Sequence, residues 1–205
     1  MKLRDIFINC PFTADFQDHF RAIVFVTIRS GFNPRCALET DNGAQNRFDK
    51  ICEIVRQCEL GIHDISKTEL DRKSKLPRFN MPLELGIFLG ARKFGDRKQR
   101  AKRCIIFDRE RYRYQAFISD IAGQDIHSHD GNVKKLISEL SSWLRREFKS
   151  ANVPGGSKIA REYDQFCKVI PAVCRTKNLA ADELTYFDYL NLALEWISSN
   201  LLVKT

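Results

Sequence analysis

The sequence predicts an α/β fold in which helices cover both faces of a parallel sheet. Short apolar segments rich in Ile and Phe alternate with longer segments of helical periodicity. Pro, Gly or Asn-Gly signals separate one segment from the next. Such alternation requires crossover connections, which place parallel strands between two helical layers.

The first half of the chain contains three predicted strands and two predicted helices. The strands cover 5–10, 32–38 and 60–65, and the helices cover about 13–29 and 44–58. Pro11 ends the first strand, and Gly31 follows the first helix at the position where glycine commonly terminates helices. Pro34 lacks the N–H that a central strand donates, so it is expected on an edge strand or at a strand start.

The second half begins with a polar segment, 66–78, which is too long for a simple turn and is predicted to be a lid or binding loop. A helix follows with Pro82 in its first turn. Residues 83–91 of this helix are apolar nearly all round, so we expect it to be mostly buried. Further strands are predicted at 103–107 and 124–127, and further helices at 112–118, 133–148, 158–177 and 183–202.

A domain boundary is predicted at the linker 153–157, which contains Pro and two Gly residues. It separates an α/β domain (1–150) from a helical C-terminal extension (151–205). The longest apolar run, 22–28, is much shorter than the roughly 20 residues that cross a bilayer. The N-terminus lacks the apolar core of a signal peptide. We therefore expect a cytoplasmic protein with no membrane partner.

The seven cysteines predict neither a disulfide framework nor a zinc site, because their number is odd and none forms a CxxC pair. Reduced thiols packed in the core are expected instead. His127 and His129, with the nearby Asp125 and Asp130, suggest a metal only superficially, since no further ligands accompany them. No metal and no cofactor are predicted.

The net charge of +8 is unevenly distributed along the chain. Residues after Ser150 carry six basic and six acidic side chains, so the excess belongs to the first 150 residues. Much of it lies in 92–103, where seven basic residues face one acidic residue, Asp96. Such a segment can bind nucleic acid, although a solvated loop is the favoured interpretation.

Ligands of parallel α/β sheets bind beyond the carboxyl ends of the strands, and three segments are predicted to meet there. Cys10, Pro11 and Phe12 follow the first strand, and the helix start after them can bind an anion through its amides. Asp64 ends the third strand, where it can accept hydrogen bonds from ribose or a base, or cap a turn. His63 is expected to pack or to lie at the surface. Neither a dinucleotide fingerprint nor a phosphate loop is present.

The third candidate segment is Asn80 to Gly86, in which Glu84 is an isolated carboxylate on an apolar helix. Burial of such a group is costly. It can be explained by a favourable helix N-terminus, or by a role as nucleophile or cation stabiliser facing a cleft. Gly86 weakens the helix relative to alanine, which suggests close approach of a backbone or a ligand.

Together these segments resemble the nucleoside 2-deoxyribosyltransferases and the related TIR-like domains over about 6–107. The resemblance implies a flavodoxin-like architecture with Glu84 acting at the anomeric carbon. It also implies that Asp64 and Asn80 help to hold the sugar or base; Asp108, after the fourth strand, is a further candidate for the cleft. Cys10-Pro11 replaces the Gly-Pro of the transferases, and the strand-one tyrosine is missing, which argues against base exchange between deoxynucleosides.

We therefore expect an enzyme that cleaves or exchanges the N-glycosidic bond of a nucleotide or nucleoside. The TIR-like resemblance implies NAD hydrolysis and a role in bacterial antiviral defence. Breaking this bond develops positive charge on the sugar, which a carboxylate can stabilise. Two alternatives remain open: a non-catalytic nucleotide-sensing module whose C-terminal helices signal or form a homo-oligomer, and a nucleic-acid-binding module.

Overall fold

The computed structural model describes residues 3–71, 73–148 and 152–202, which form five strands and seven helices. The strands are β1 (Arg4–Asn9), β2 (Phe32–Cys36), β3 (Leu60–Asp64), β4 (Arg103–Asp108) and β5 (Ile126–Ser128). The helices are α1 (Gln17–Arg29), α2 (Arg47–Gln57), α3 (Asn80–Phe94), α4 (Arg97–Arg100), α5 (Val133–Glu147), α6 (Gly156–Thr176) and α7 (Tyr186–Leu202). Short 3-10 turns lie at Ala14–Phe16, Arg113–Ala116 and Ser119–Ile121.

All five strands are parallel, in the order β2-β1-β3-β4-β5. This order is that of the flavodoxin-like fold, so the predicted fold class is confirmed. Pro34 lies in β2, which pairs only with β1 at the edge of the sheet, as its missing N–H requires. The chain leaves β1 and β3 in opposite directions across the sheet, which makes their ends the switch point.

Alternate side chains of the strands enter two helical layers. Ile6 and Ile8 pack with α1 and α5 on one face, while Phe7 packs with α2 and with Phe88 of α3 on the other. The first layer is the thicker one because α6 and α7 join its core.

The C-terminal helices bind to α1 through specific polar contacts as well as apolar packing. The Tyr163 hydroxyl donates to the Asp18 carbonyl at 3.1 Å, and the Tyr189 hydroxyl donates to the Arg21 carbonyl at 2.9 Å. Arg29 and Glu162 form a buried ion pair at 2.6 Å. The division into 1–150 and 151–205 stays a prediction, although both parts contribute to one core.

Helix α3 differs from the sequence prediction of a mostly buried helix. Leu83 is 55% exposed and Phe94 is 85% exposed, because no described element covers this side of α3. A Cβ built at Gly86 would meet no atom within 4 Å. The prediction that protein backbone closely approaches this glycine is therefore also wrong. The inner side of α3 is buried, as expected.

Other boundaries differ by a few residues. The first turn of α2 begins at Arg47 rather than Ala44, α7 begins at Tyr186, and the predicted helix 112–118 is a 3-10 turn. The basic segment 92–103 is helical over most of its length rather than a loop. All seven cysteines are free thiols, and Cys167 is exposed instead of buried. Among the described residues, no helix has the length and apolar character needed to cross a membrane.

Candidate functional site

A cleft lies where β1 and β3 end side by side at the switch point of the sheet. Five of the seven side chains predicted for the site line one pocket of about 220 Å³ in this cleft. They are Cys10, Pro11, Phe12, Asn80 and Glu84. The first three follow β1, and the last two lie in the first turns of α3, so the pocket forms between these two elements.

Glu84 is the only carboxylate among the residues described as lining this pocket. It is 9% exposed, and it makes no hydrogen bond or ion pair to a described residue. Burial raises its pKa to about 7, with the nearby Arg47 acting in the opposite direction. The carboxylate therefore changes charge near neutral pH and faces space that a ligand can occupy.

Asn9 fixes the first turn of α3 against the sheet, and sequence reasoning missed it. Its side-chain amide donates to the Met81 carbonyl at 2.8 Å and contacts Nδ1 of His63 at 3.1 Å. Burial lowers the pKa of His63 to about 3, so this ring is neutral and its Nδ1 can accept the second amide hydrogen. The one signal in the sequence was a polar residue ending an apolar strand. His63 itself is fully buried, which is one of the two placements expected for it, packing or the surface.

Three cationic side chains, Arg47, Lys67 and Arg78, also line the pocket. Lys67 pairs with Asp15, whereas Arg47 and Arg78 form no ion pair with any described residue. The buried carboxylate of Glu84 thus lies inside the pocket, and the exposed guanidinium groups of Arg47 and Arg78 lie at its rim. Guanidinium groups suit phosphate oxygens, so the rim can hold the charged part of a nucleotide.

A larger cavity of about 760 Å³ adjoins the pocket. Thr13, Lys67 and Arg78 line both spaces, which makes them one continuous cleft. His19 and His129 lie on the far wall of the larger cavity. Burial and the neighbouring His129 lower the pKa of His19, so its ring is neutral at pH 7.

Asp64 lies behind the cleft and lines neither space. It is fully buried and accepts hydrogen bonds from the backbone and the hydroxyl of Ser66. Its other oxygen is 3.2 Å from Nε2 of His129, without hydrogen-bond geometry. The Gly131 amide donates to Nδ1 of His129, which leaves the ring proton on Nε2, facing Asp64. Asp64 thus connects the segments after β3 and β5, and its contact with a substrate stays a prediction.

Asp108 also lies outside both spaces, in a buried ion pair. Nε of Arg113 donates to it at 2.9 Å, and the backbone amide of Arg109 donates at 2.7 Å. Burial raises the pKa of Asp108, and the Arg113 contact opposes the change. Arg113 also donates to the Ser66 carbonyl and to the Thr68 hydroxyl. This places Asp108 as an anchor of the segment 66–78.

The segment 66–78, predicted as a lid or binding loop, contributes residues to both spaces. Besides the Arg113 contacts, an ion pair of 2.6 Å between Glu69 and Arg109 holds it over the sheet edge. Its middle forms a small turn closed by the bridge between Leu70 and Pro77. The segment therefore forms one wall of the cleft.

No protein-family model matches this chain, and no curated protein matches it significantly in sequence. Among the described residues, no cluster of three or more His, Cys, Asp or Glu side chains is arranged to hold a metal ion. His127 instead pairs with Glu139 at 2.9 Å.

Proposed function

We propose that this protein cleaves the N-glycosidic bond of a nucleotide or nucleoside, with Glu84 acting at the anomeric carbon. The observation that carries the proposal is a buried carboxylate without a described partner that lines a pocket of about 220 Å³. The volume suits a sugar with part of its base, because ligand sites enclose most of a small molecule.

The chemistry requires little more than this carboxylate. As the bond between C1′ and the base nitrogen breaks, its electron pair goes to the base and positive charge develops on the sugar ring. Ionised Glu84 stabilises this cation, or forms an ester with it that water then hydrolyses. A positively charged base such as the nicotinamide of NAD leaves as a neutral molecule and needs no proton donor.

The remainder of the cleft suits the rest of a nucleotide. Lys67 and Arg78 can hold phosphate oxygens at the boundary between the pocket and the larger cavity, and Arg47 can do so within the pocket. The cavity of about 760 Å³ has room for a second nucleoside. NAD, which joins two nucleosides through two phosphates, is therefore the first substrate to test.

The experiment is a base-release screen with the purified full chain, in which NAD, nucleotides and nucleosides are incubated and free bases are separated by chromatography. Glu84→Gln keeps the shape of the side chain but removes its charge. We expect it to reduce base release by about a thousandfold or more, since the developing cation loses its stabilising charge. Glu183→Gln, at an exposed carboxylate that lines neither the pocket nor the larger cavity, is the control and should retain full activity.

Base release that survives in Glu84→Gln would remove Glu84 from the mechanism. A nucleotide that raises the melting temperature of the wild-type chain without losing its base would assign the cleft to binding rather than catalysis. Asn80→Ala separates the two roles of the pocket, because loss of a binding group raises KM while kcat changes little.

A further inference from the structure

The end of α3, together with α4, forms a second charged surface that the proposed reaction does not use. It is defined by Arg92, Lys93, Phe94, Arg97, Lys98 and Arg100, all of them exposed, and is called the α3–α4 surface below. Helix α3 runs from the cleft at Asn80 to this surface, a distance of about 20 Å at the rise of an α-helix. The surface is therefore separate from Glu84.

The positive charge of this surface is not neutralised within the described chain. None of its five basic side chains forms an ion pair with a described residue. Asp96, the one acidic residue among them, accepts a hydrogen bond from the backbone amide of Gln99 and caps α4. Two basic residues outside the surface do have partners: Arg56 pairs with Glu53, and Arg103 pairs with Glu59 and Glu147.

Phe94 adds an aromatic ring to this charge. It is 85% exposed, the highest value among the large apolar residues described as exposed. The Arg100 side chain donates to the Gly95 carbonyl at 3.0 Å, which ties α4 to the residue that follows Phe94. A solvent-exposed ring on the same short segment as cations that have no ion-pair partner in the described part of the chain suits stacking of single-strand bases and contacts with phosphates.

A membrane surface fits these residues less well. Helix α4 contains no apolar side chain, so the surface offers only one ring to the acyl region, whereas membrane-binding helices present an extended apolar face. We propose that the α3–α4 surface binds single-stranded nucleic acid, with Phe94 stacking on a base and Arg97, Lys98 and Arg100 contacting phosphates. This inference is independent of the proposed reaction at Glu84.

The test measures the fluorescence anisotropy of a labelled single-stranded oligonucleotide of about 20 nucleotides, longer than the site of a single module. Three phosphate contacts predict that affinity falls roughly 20-fold between 50 and 200 mM salt. The combined change Arg97→Gln, Lys98→Gln and Arg100→Gln should lower the slope of log affinity against log salt by about 2. Phe94→Ala should weaken binding about tenfold, and Phe94→Tyr should restore it.

The control removes the same charge elsewhere, through Arg161→Gln, Lys168→Gln and Arg175→Gln on the exposed side of α6. It should leave binding within a factor of about two, since these residues lie outside the proposed surface. Equal losses in both triple variants would overturn the proposal, because net charge alone would then explain binding. Unchanged binding in Phe94→Ala, or binding to anionic lipid vesicles but not to the oligonucleotide, would also overturn it.

Discussion

At the scale of single residues, Glu84 combines two opposing properties. It is held in the apolar interior of the cleft, and it has no described cation in contact to compensate its charge. Burial consequently raises its pKa to about 7, where small changes in pH alter its charge. Residues whose environment shifts the pKa toward neutrality are concentrated at functional sites, often at a cost in stability.

Burial of Glu84 should make the free energy of unfolding depend on pH, and this dependence should be absent from Glu84→Gln. Its pKa is about 7 in the folded chain against the ordinary value of 4.5, so folding is opposed once the unfolded chain loses this proton. The penalty is absent below about pH 4.5, grows up to about pH 7 and is complete above it. We expect Glu84→Gln to be more stable than wild type by about 2–3 kcal/mol at pH 8, and nearly equal at pH 4.5.

Urea unfolding at the two pH values measures this difference. Glu183→Gln serves again as the control, because an exposed carboxylate should change stability by less than about 0.5 kcal/mol at either pH. A Glu84→Gln variant that is less stable at pH 8 would mean that the carboxylate has a stabilising partner. The expected gain also ensures that lost base release in this variant cannot be attributed to unfolding.

The sequence predicted Glu84 but not the residues that hold it, for a physical reason. An isolated charge on an apolar helix is visible within a few positions of the chain. Asn9 and its partners His63 and Met81 are separated by 54 and 72 positions, and only the folded sheet brings them together. The same holds for Asp64 and His129, whose contact depends on the order of the strands.

At the scale of elements, α3 has two sides with different surroundings. Its inner side carries Leu85 and Phe88 into the core and Glu84 to the pocket, while its outer side leaves Leu83 and Gly86 in contact with solvent. Composition alone predicted that the helix is mostly buried, because it is apolar nearly all round. Exposure depends on whether another layer covers the helix, and no described element does so.

Gly86→Ala tests the outer side of α3. A Cβ at this position has open space around it, and alanine stabilises helices relative to glycine, so we expect a gain of about 0.5–1 kcal/mol in the free energy of unfolding. Gly90→Ala, a second unobstructed glycine of the same helix, should behave alike. Destabilisation by Gly86→Ala, or weaker nucleotide binding, would indicate instead that something closely approaches this glycine.

The periodicity of the sequence predicted the type of nearly every element, because strands and helices of this chain have clear apolar patterns. Periodicity was less informative for the segment 92–103. Its many basic residues predicted a solvated loop, whereas the segment contains the short helix α4 and the buried Lys102. Nζ of Lys102 donates to the Val55 carbonyl at 2.6 Å and also to the Cys58 carbonyl, which completes the end of α2. Because Lys102 lies 47 positions from Val55, no local pattern in the sequence predicts this cap.

At the scale of the whole molecule, the C-terminal helices complete the core of the preceding fold. Phe25 of α1 stacks on Phe166 with ring centres 5.3 Å apart, and it also contacts Trp196 of α7. The helix α1 is therefore apolar on both its sheet side and its outer side, which explains the run from Ala22 to Ile28. That run was the available sequence signal for a further helical layer.

A chain of residues 1–150 should consequently fail to fold in the native way. Removal of α6 and α7 exposes the outer side of α1 and leaves Arg29 without Glu162. We expect aggregation, or a collapsed state that binds hydrophobic dyes, as judged by size-exclusion chromatography and near-UV circular dichroism. A monomeric fragment with cooperative unfolding would show that the first 150 residues are an independent domain.

The covering of α1 also has a consequence for biosynthesis. About 170 residues separate Ile28 from Trp196. At ordinary elongation rates the ribosome therefore adds Trp196 on the order of ten to thirty seconds after Ile28. Until α6 and α7 are made, the apolar outer surface of α1 lacks its native neighbours. We therefore expect the early part of the chain to need shielding by chaperones during synthesis.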